Sequence, residues 1–274
     1  MPTHSSEPGR TGCTACSPLP DLDTAALVAR LRAAGCVFAE DEAALLIAAA
    51  SSDVDLERLV RHRVSGHPLE QVLGWAEFCG LRIVLEPGVF VPRRRTEFLV
   101  DQAAALVGAH PVVVDLCCGS GAVGAALVDR LDDIELWAGD IDPAAVHCAH
   151  RNLPHAQVYQ GDLYTGLPTT LTGRVDLFVV NAPYVPTDAI RLMPPEARDY
   201  EPAVALDGGP DGMDIHRRVA AEAPTWLRPG GHLLIETSER QAPHVAAIFT
   251  ANGLHARVTR SEALDATVAL GRRS

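Results

Sequence analysis

Apolar residues recur at helical spacing near the start of the chain. Between Asp21 and Gly74 they lie three or four positions apart, with Asp and Ser at places typical of helix caps. This pattern predicts a helical domain of three or four helices over residues 21–74. Residues 1–20 combine Ser, Pro and Gly without apolar periodicity, so we expect a disordered tail there.

A shorter, extended pattern follows the predicted helices. The segments AEFCG and LRIVLEPGVFVP, with a Pro-Gly turn at Pro87 and Gly88, predict a β-hairpin. We expect residues 75–96 to form a hairpin linker between the helical domain and a larger domain at 97–274.

Strand-like apolar runs then alternate with helical segments. The runs are VVVDL (112–116), ELWAGD (135–140), AQVYQGD (156–162) and VDLFVVN (175–181). This alternation predicts an α/β fold with a parallel sheet covered by helices on both faces. The last segments, LHARVT and ATVALG, have no helix between them and predict a closing hairpin that adds one antiparallel strand.

The composition excludes several functions. Among 274 residues, 23 arginines and no lysines stand against 35 carboxylates, which gives a formal charge of −12. Such a chain is a poor candidate for an unspecific nucleic-acid binder, and it cannot use lysine Schiff-base or Walker-type chemistry. No apolar run is long enough for a membrane span, and MPTHSSEPGR lacks the apolar core of a signal peptide. We therefore expect a cytoplasmic protein.

The cysteines and histidines do not indicate a metal site. The cysteine count of seven is odd, and Cys117 and Cys118 are adjacent, so we expect reduced thiols. Cys13 and Cys16 form a CxxC pair, but no second pair follows at the spacing of a zinc finger. Histidine pairs such as His147 and His150 also lack further ligands at suitable spacing.

The most informative segment is VVVDLCCGSGAVGAAL, where a buried strand ends and a glycine-rich turn opens a helix. Gly119, Gly121 and Gly124 match GxGxxG, and Asp140 follows at the distance of a ribose-binding acid. The match alone fits either a dinucleotide or S-adenosylmethionine (SAM). Asp115 favours SAM, because a carboxylate at the strand end suits the ammonium of its methionine moiety and would repel a pyrophosphate.

A second polar cluster, VVNAPYVPT, follows the fourth predicted strand of the larger domain. The Asn181 oxygen and the backbone carbonyl of Ala182 can accept the two N–H bonds of a planar amide or an exocyclic amine. Tyr184 would supply a flat wall. Such a site would work by positioning the nitrogen and would need no strong base before transfer.

With both clusters in place, the chain resembles the HemK/PrmC family of protein-(glutamine N(5)) methyltransferases, in a branch related to the release-factor enzymes. The resemblance spans about residues 21–271. It rests on an ordered series of segments: GWAEFCGLRIVLEPGVFVPRRRTEFLV, VVDLCCGSGAVGAAL, GDIDPAAVHCAHRN, QGDLY, NAPYVPT, YEPAVALDGGPDGM, LRPGGHLLIET and VALGR.

The resemblance implies a class I SAM-dependent methyltransferase fold, Rossmann-like with a seven-stranded sheet, and a helical N-terminal domain that recognises the substrate protein. It also implies two sets of site residues. The cofactor-binding set is Asp115, Cys117, Cys118, Gly119, Ser120, Gly121, Asp140, Asp162 and Leu163. The catalytic set is Asn181, Ala182, Pro183 and Tyr184. Glu201 and Pro202 would have a supporting role.

Three departures from the family pattern bear on the substrate. Ala182 replaces the first proline of NPPY, Cys117 replaces a glycine, and PRRRTE replaces a PRPETE-type stretch. The implied partner is a protein, with a class I release factor as candidate, and we expect no nucleic-acid or membrane partner. Three alternatives stay open: an adenine N6 methyltransferase, a non-catalytic SAM-binding protein and an NAD-dependent oxidoreductase. The oligomeric state and the substrate's identity are not determined by the sequence.

Overall fold

The computed structural model describes residues 23–274, which fall into two compact units. The first ends at Arg61 and the second spans His62–Ser274. The predicted tail at 1–20, with Cys13 and Cys16, lies outside the described residues. Three helices begin the described chain: α1 (Thr24–Ala33), α2 (Ala39–Ala49) and α3 (Asp53–Val64).

The first unit owes its helices to a cap and an apolar stripe. Asp23 begins α1 by accepting the Ala26 N–H at 3.0 Å. Leu27 and Leu31, four positions apart on α1, are both buried. A bidentate ion pair between Arg30 and Glu57 links α1 to α3.

The second unit continues with α4 (Leu69–Leu73) and a two-stranded antiparallel hairpin, β1 (Trp75–Phe78) and β2 (Leu81–Val84). The prediction of a hairpin turn at Pro87–Gly88 is wrong. Cys79 and Gly80 make the turn, both with positive φ, which is the backbone that a two-residue hairpin loop requires. Pro87 and Gly88 form a separate turn after β2, in which the Val89 N–H donates to the Glu86 carbonyl at 3.2 Å.

A seven-stranded sheet in the order β5-β4-β3-β6-β7-β9-β8 forms the centre of the second unit. Strands β3 to β7 pair in parallel, and β9 runs antiparallel to both of its neighbours. The predicted parallel sheet with one antiparallel strand is therefore confirmed. The strands are β3 (Val112–Leu116), β4 (Glu135–Asp140), β5 (Gln157–Gln160), β6 (Val175–Val180), β7 (Leu227–Thr237), β8 (Leu254–Ser261) and β9 (Ala266–Arg273).

Helices cover both faces of this sheet because its strands are apolar on both sides. Along β3, Val113 belongs to one buried cluster with α5 and α6, while Val112 and Val114 belong to another with α9 and α10. The covering helices are α5 (Glu97–Ala104), α6 (Ala122–Arg130), α7 (Pro143–Asn152), α9 (Asp214–Trp226) and α10 (Ala242–Ala251), and a short helix, α8 (Pro195–Tyr200), lies between β6 and α9 in the chain.

Candidate active site

The carboxyl ends of β3, β4 and β6 open onto one cavity of about 560 Å³. The chain moves outward in opposite directions from β3 and β6, and open α/β sheets bind ligands at such a switch point. Every predicted site residue except Gly121 lines this cavity. They are Asp115, Cys117, Cys118, Gly119, Ser120, Asp140, Asp162, Leu163, Asn181, Ala182, Pro183 and Tyr184. The two predicted clusters thus face the same space.

The loop after β3 turns through three residues with left-handed backbone, Cys117 (φ +58°), Gly119 (φ +54°) and Gly121 (φ +78°). Glycine adopts this region freely, whereas a residue with a Cβ is destabilised by roughly 1–2 kcal/mol. A Cβ added to Gly119 would meet no heavy atom within 4 Å, so the glycine leaves space open beside the cavity. Cys117 therefore carries a side chain at a position where glycine is preferred.

Gly121 has a packing role. It lies at the N-terminus of α6, and a Cβ there would approach Leu153 Cδ1 to 2.9 Å. Its N–H donates to the Cys118 carbonyl at 2.7 Å. The close approach of the loop to the end of α7 accounts for this glycine.

Asp115 is a buried carboxylate, with 2% of its surface exposed. Its Oδ2 accepts the Gly124 N–H at 2.9 Å, which ties β3 to the first turn of α6. Burial, reinforced by the charge of Asp140, raises the pKa of Asp115 to about 7. A cation beside this carboxyl group would favour its ionised form. The ammonium group of a bound amino acid would be such a cation.

Asp140, at the end of β4, holds two backbone segments. Its Oδ2 accepts the Gly119 N–H at 2.9 Å, and its Oδ1 accepts the Asp142 N–H at 3.0 Å. Asp142 caps α7 by accepting the Ala144 N–H, so Asp140 is not the helix cap. Each oxygen of a carboxylate has a further lone pair, so Asp140 can also accept hydroxyl donors from the cavity. Burial raises the pKa of Asp140.

Asp162 and Leu163 follow β5 in the chain, and both line the cavity. Leu163 is buried and has a positive φ of 53°. Asp162 forms an ion pair at 2.8 Å with Arg218 of α9, and Arg218 also lines the cavity. Arg218 was not predicted as a site residue, because it lies between the segments YEPAVALDGGPDGM and LRPGGHLLIET and belongs to neither.

The Asn181–Tyr184 segment leaves β6 with its side chains held by other elements. Asn181 Nδ2 donates to Thr96 Oγ1 at 3.3 Å. The Tyr184 hydroxyl donates to Glu236 Oε1 at 3.4 Å, and its carbonyl accepts the Gln241 Nε2 donor at 3.0 Å. Burial raises the pKa of Tyr184, so its hydroxyl is neutral at physiological pH.

Sequence reasoning missed Thr96, Glu236 and Gln241 as site residues. Glu236 was detectable, because it is a charged residue inside the apolar run HLLIETS and only 2% of its surface is exposed. Arg95 of the PRRRTE stretch donates to Glu236 Oε1 at 3.3 Å. Thr96 and Gln241 gave no comparable signal, since their partners lie far away in sequence.

Glu201, for which the resemblance implies a supporting role, lines the cavity. Its buried carboxylate pairs with Arg93 at 2.6 Å and accepts the Val91 N–H at 3.2 Å. Arg93 also lies over the Phe90 ring, 4.8 Å from its centroid. The arginine-rich stretch is thus partly engaged in structural contacts.

Residues 23–274 contain neither a cluster of metal ligands nor a membrane-spanning helix. No group of three or more His, Cys, Asp or Glu side chains converges there as a metal site. Within the same range, every helix is too short or too polar to cross a membrane.

Comparison with known proteins identifies the family. A family model described as "Methyltransferase small domain" matches residues 80–193. The release factor glutamine methyltransferase of Geobacter sulfurreducens is 37% identical over 199 residues, which cover 71% of this chain and 69% of the relative. The chain belongs to the release factor glutamine methyltransferase family. A family relative at similar distance is the 4-amino-L-phenylalanine/4-methylamino-L-phenylalanine methyltransferase of Streptomyces pristinaespiralis. It is 36% identical over 203 residues, which cover 71% of this chain and 69% of the relative.

A solved structure supports the fold. A methyltransferase from Pyrococcus furiosus has a TM-score of 0.55 at 14% identity, over 71% of this chain and 90% of that one. The relatives confirm the predicted family and with it the SAM cofactor, and this structure confirms the predicted methyltransferase fold.

Proposed function

We propose that the protein uses SAM to methylate the side-chain amide nitrogen of a glutamine in a substrate protein. We propose further that the substrate protein is a class I release factor. The observation that carries the proposal is the single cavity shared by the Asp115 and Asp140 carboxylates and by the Asn181–Tyr184 segment. A cytoplasmic location agrees with this substrate. The family relatives with the corresponding name support the choice of glutamine.

The residues around the loop after β3 fit SAM in charge and space. Asp115 offers a carboxylate to the ammonium, and Asp140 offers acceptors to two ribose hydroxyls. Gly119 leaves the intervening space free of protein atoms. When bound, SAM supplies an electrophilic methyl group on a sulfonium. Leu163, which also lines the cavity, would give the adenine an apolar contact.

The residues after β6 would orient the acceptor nitrogen. An amide nitrogen is a weak nucleophile because its lone pair is delocalised into the carbonyl. Asn181 Oδ1 and the Ala182 carbonyl would each accept one N–H, which fixes the amide plane and increases electron density on nitrogen. In the transfer, the nitrogen would gain the methyl group, the electron pair of the S–C bond would stay on the sulfur, and the displaced amide proton would pass to water. Tyr184 limits the space to a flat group.

One finding favours a second candidate acceptor, the aromatic amine of a free amino acid. The Streptomyces pristinaespiralis relative carries the name of such an enzyme at nearly the same identity as the glutamine methyltransferases. The cavity also has an apolar side, which includes Val89, Phe90 and Met193. A planar aromatic amine presents the same two N–H donors to Asn181 and Ala182.

Methyl-labelled SAM and four acceptors would test these assignments. They are an intact class I release factor, its Gln→Ala variant, 4-amino-L-phenylalanine and adenine-containing single-stranded nucleic acid, with the product located by mass spectrometry. Label on the glutamine of the intact factor alone is the expected result. Label on the small amine or on adenine would overturn the substrate assignment. Binding of SAM without label on any acceptor would favour a different protein substrate or a non-catalytic role.

A further inference from the structure

The turn after β5 is tied to α9 at two successive points. Asp162 Oδ2 accepts a hydrogen bond from Arg218 Nη2 at 2.8 Å, and the Tyr164 hydroxyl donates to the Val219 carbonyl at 2.8 Å. Leu163 lies between these two ties and lines the cavity. Contacts with α9 therefore hold the chain on both sides of the residue that we propose to contact the adenine.

Leu163 has a backbone conformation that is unfavourable for its residue type. Its φ of 53° lies in the left-handed region, which a bulky apolar residue rarely adopts. The Tyr159 hydroxyl donates to the Leu163 carbonyl at 3.2 Å and adds a third tie. Because such a backbone persists only where its surroundings hold it, the contacts of Asp162 and Tyr164 with α9 help to shape this wall of the cavity.

The two ties to α9 differ in burial. Tyr164 is buried, whereas the side chains of Asp162 and Arg218 are both nearly half exposed. An ion pair between exposed groups contributes little to the stability of a folded protein. Arg218 nonetheless lines the cavity together with Asp162. The position of this ion pair therefore indicates a role in ligand binding and not in folding.

The ion pair leaves one oxygen of Asp162 for a ligand. Arg218 contacts Oδ2, and Oδ1 has no hydrogen-bond partner among residues 23–274. An ionised carboxylate only accepts hydrogen bonds, so Oδ1 suits an N–H donor. The adenine of SAM carries such a donor in its exocyclic amino group. Because Arg218 limits the rotation of the carboxylate, it would keep Oδ1 available in one direction.

We propose that Arg218 is a positioning residue for the cofactor, which holds Asp162 so that the free oxygen of Asp162 selects the amino group of adenine. The inference rests on the cofactor placement in the proposed function, with adenine beside Leu163, and is independent of the acceptor that is methylated. It gives a binding role to a residue outside every sequence motif of the site.

Two ligands that differ in the base test the placement of adenine. S-adenosylhomocysteine carries the exocyclic amino group, and S-inosylhomocysteine carries a carbonyl oxygen in its place, so Asp162 would face a second acceptor. We expect the wild-type protein to bind the adenine compound at least about tenfold more tightly in isothermal titration. Equal affinities would overturn the placement of adenine and, with it, the role of Arg218.

Matched variants isolate the contribution of Arg218. Arg218→Gln should reduce the preference for the adenine compound by roughly three- to fivefold, because Asp162 can then turn toward solvent. Arg217→Gln removes the same charge from the same turn of α9 and should keep the wild-type preference. Arg217 pairs with Asp211 and Asp214, and none of the three lines the cavity. An undiminished preference in Arg218→Gln, or an equal loss in both variants, would overturn the role of Arg218 and leave the placement of adenine intact.

A double variant shows whether Arg218 acts through Asp162. The amide of Asp162→Asn can donate to the carbonyl of the inosine compound, so this variant should have a reduced preference for adenine. If Arg218 acts only by holding the carboxylate, adding Arg218→Gln to Asp162→Asn should change the preference little further. A further loss as large as that caused by Arg218→Gln alone would overturn the positioning role.

Discussion

The backbone N–H of Gly119 donates to Asp140 Oδ2 at 2.9 Å, which fixes the loop after β3 to the end of β4. The carboxylate that we propose for the ribose hydroxyls therefore also shapes the loop that we propose to face the methionine moiety. The two parts of the cofactor cavity are coupled through this one side chain, so a change in Asp140 alters both.

This coupling predicts a graded response at Asp140. Asp140→Ala removes the acceptor for the Gly119 N–H and for the ribose, whereas Asp140→Asn retains one oxygen. Because hydrogen bonds to a charged group contribute about 1.5–3 kcal/mol each, the alanine variant should bind SAM at least tenfold more weakly. The SAM affinity of the asparagine variant should lie between those of the alanine variant and the wild type. Isothermal titration with SAM measures this order, and equal affinities in all three proteins would contradict it.

Asn181 should affect transfer without affecting the cofactor. Asn181→Ala removes the Oδ1 acceptor but leaves Asp115, Asp140 and the glycine loop unchanged. We expect kcat to fall at least 100-fold, in the range seen when one positioned hydrogen-bonding group of an active site is removed. SAM affinity, measured by titration, should stay near wild type. Full turnover by this variant would exclude the amide-holding mechanism.

The parts of this protein that were predictable are those in which local pattern and burial coincide. Strands β3 and β4 were predicted with correct bounds, because a parallel strand buried on both faces is a continuous apolar run. The hairpin turn was missed because Cys79 adopts a left-handed backbone that its residue type does not indicate. Gln241 could not be placed at the site from sequence, since tertiary packing alone brings it to Tyr184. The apolar run around Glu236 indicates a buried charge but not its contact with Tyr184.

Cys117 offers a test of backbone strain in the cofactor loop. Cys117→Gly removes a side chain at φ +58°, which should raise the stability by up to about 1 kcal/mol and increase SAM affinity. The adjacent Cys118 is a matched control, because it is buried and has no left-handed backbone. Cys118→Gly should destabilise the protein. Thermal denaturation of both variants measures the contrast, and a destabilised Cys117→Gly would contradict the strain argument.

Asp115 should make the stability of the SAM-free protein depend on pH. Its pKa is raised to about 7 in the folded state, so the folded protein binds the Asp115 proton more tightly than the unfolded chain does. The resulting contribution to the free energy of unfolding is present at low pH and is lost as the pH rises from about 4 through 7. Asp115→Asn keeps an acceptor for the Gly124 N–H and removes the buried charge. We expect the variant to melt a few degrees higher than wild type at pH 8 and to bind SAM more weakly. Melting curves from pH 5 to 8 test the prediction, and parallel curves for both proteins would contradict it.

Gln241 links two other segments of the chain, one at Tyr184 and one at Asp211–Gly212. Its Nε2 donates to the carbonyls of Tyr184, Asp211 and Gly212 at 3.0, 3.1 and 3.3 Å. A Cβ on Gly212 would approach the Tyr184 carbonyl to 2.3 Å, so these segments are already as close as a glycine allows. Without the amide donor, these buried carbonyls lose a hydrogen-bond partner. Each unsatisfied group lowers the stability of the folded protein by about 1–3 kcal/mol.

Gln241→Ala should therefore lower both the melting temperature and kcat, with little change in SAM affinity, because Gln241 is not among the residues that line the cavity. Gln241→Glu separates the two effects. It keeps the size of the side chain but replaces the donor by an acceptor that faces carbonyl oxygens, so Tyr184 should still be displaced. Steady-state kinetics at saturating SAM are the decisive measurement. If Gln241→Glu kept wild-type kcat, the position of Tyr184 would depend on the packing around Gly212 and not on this hydrogen bond.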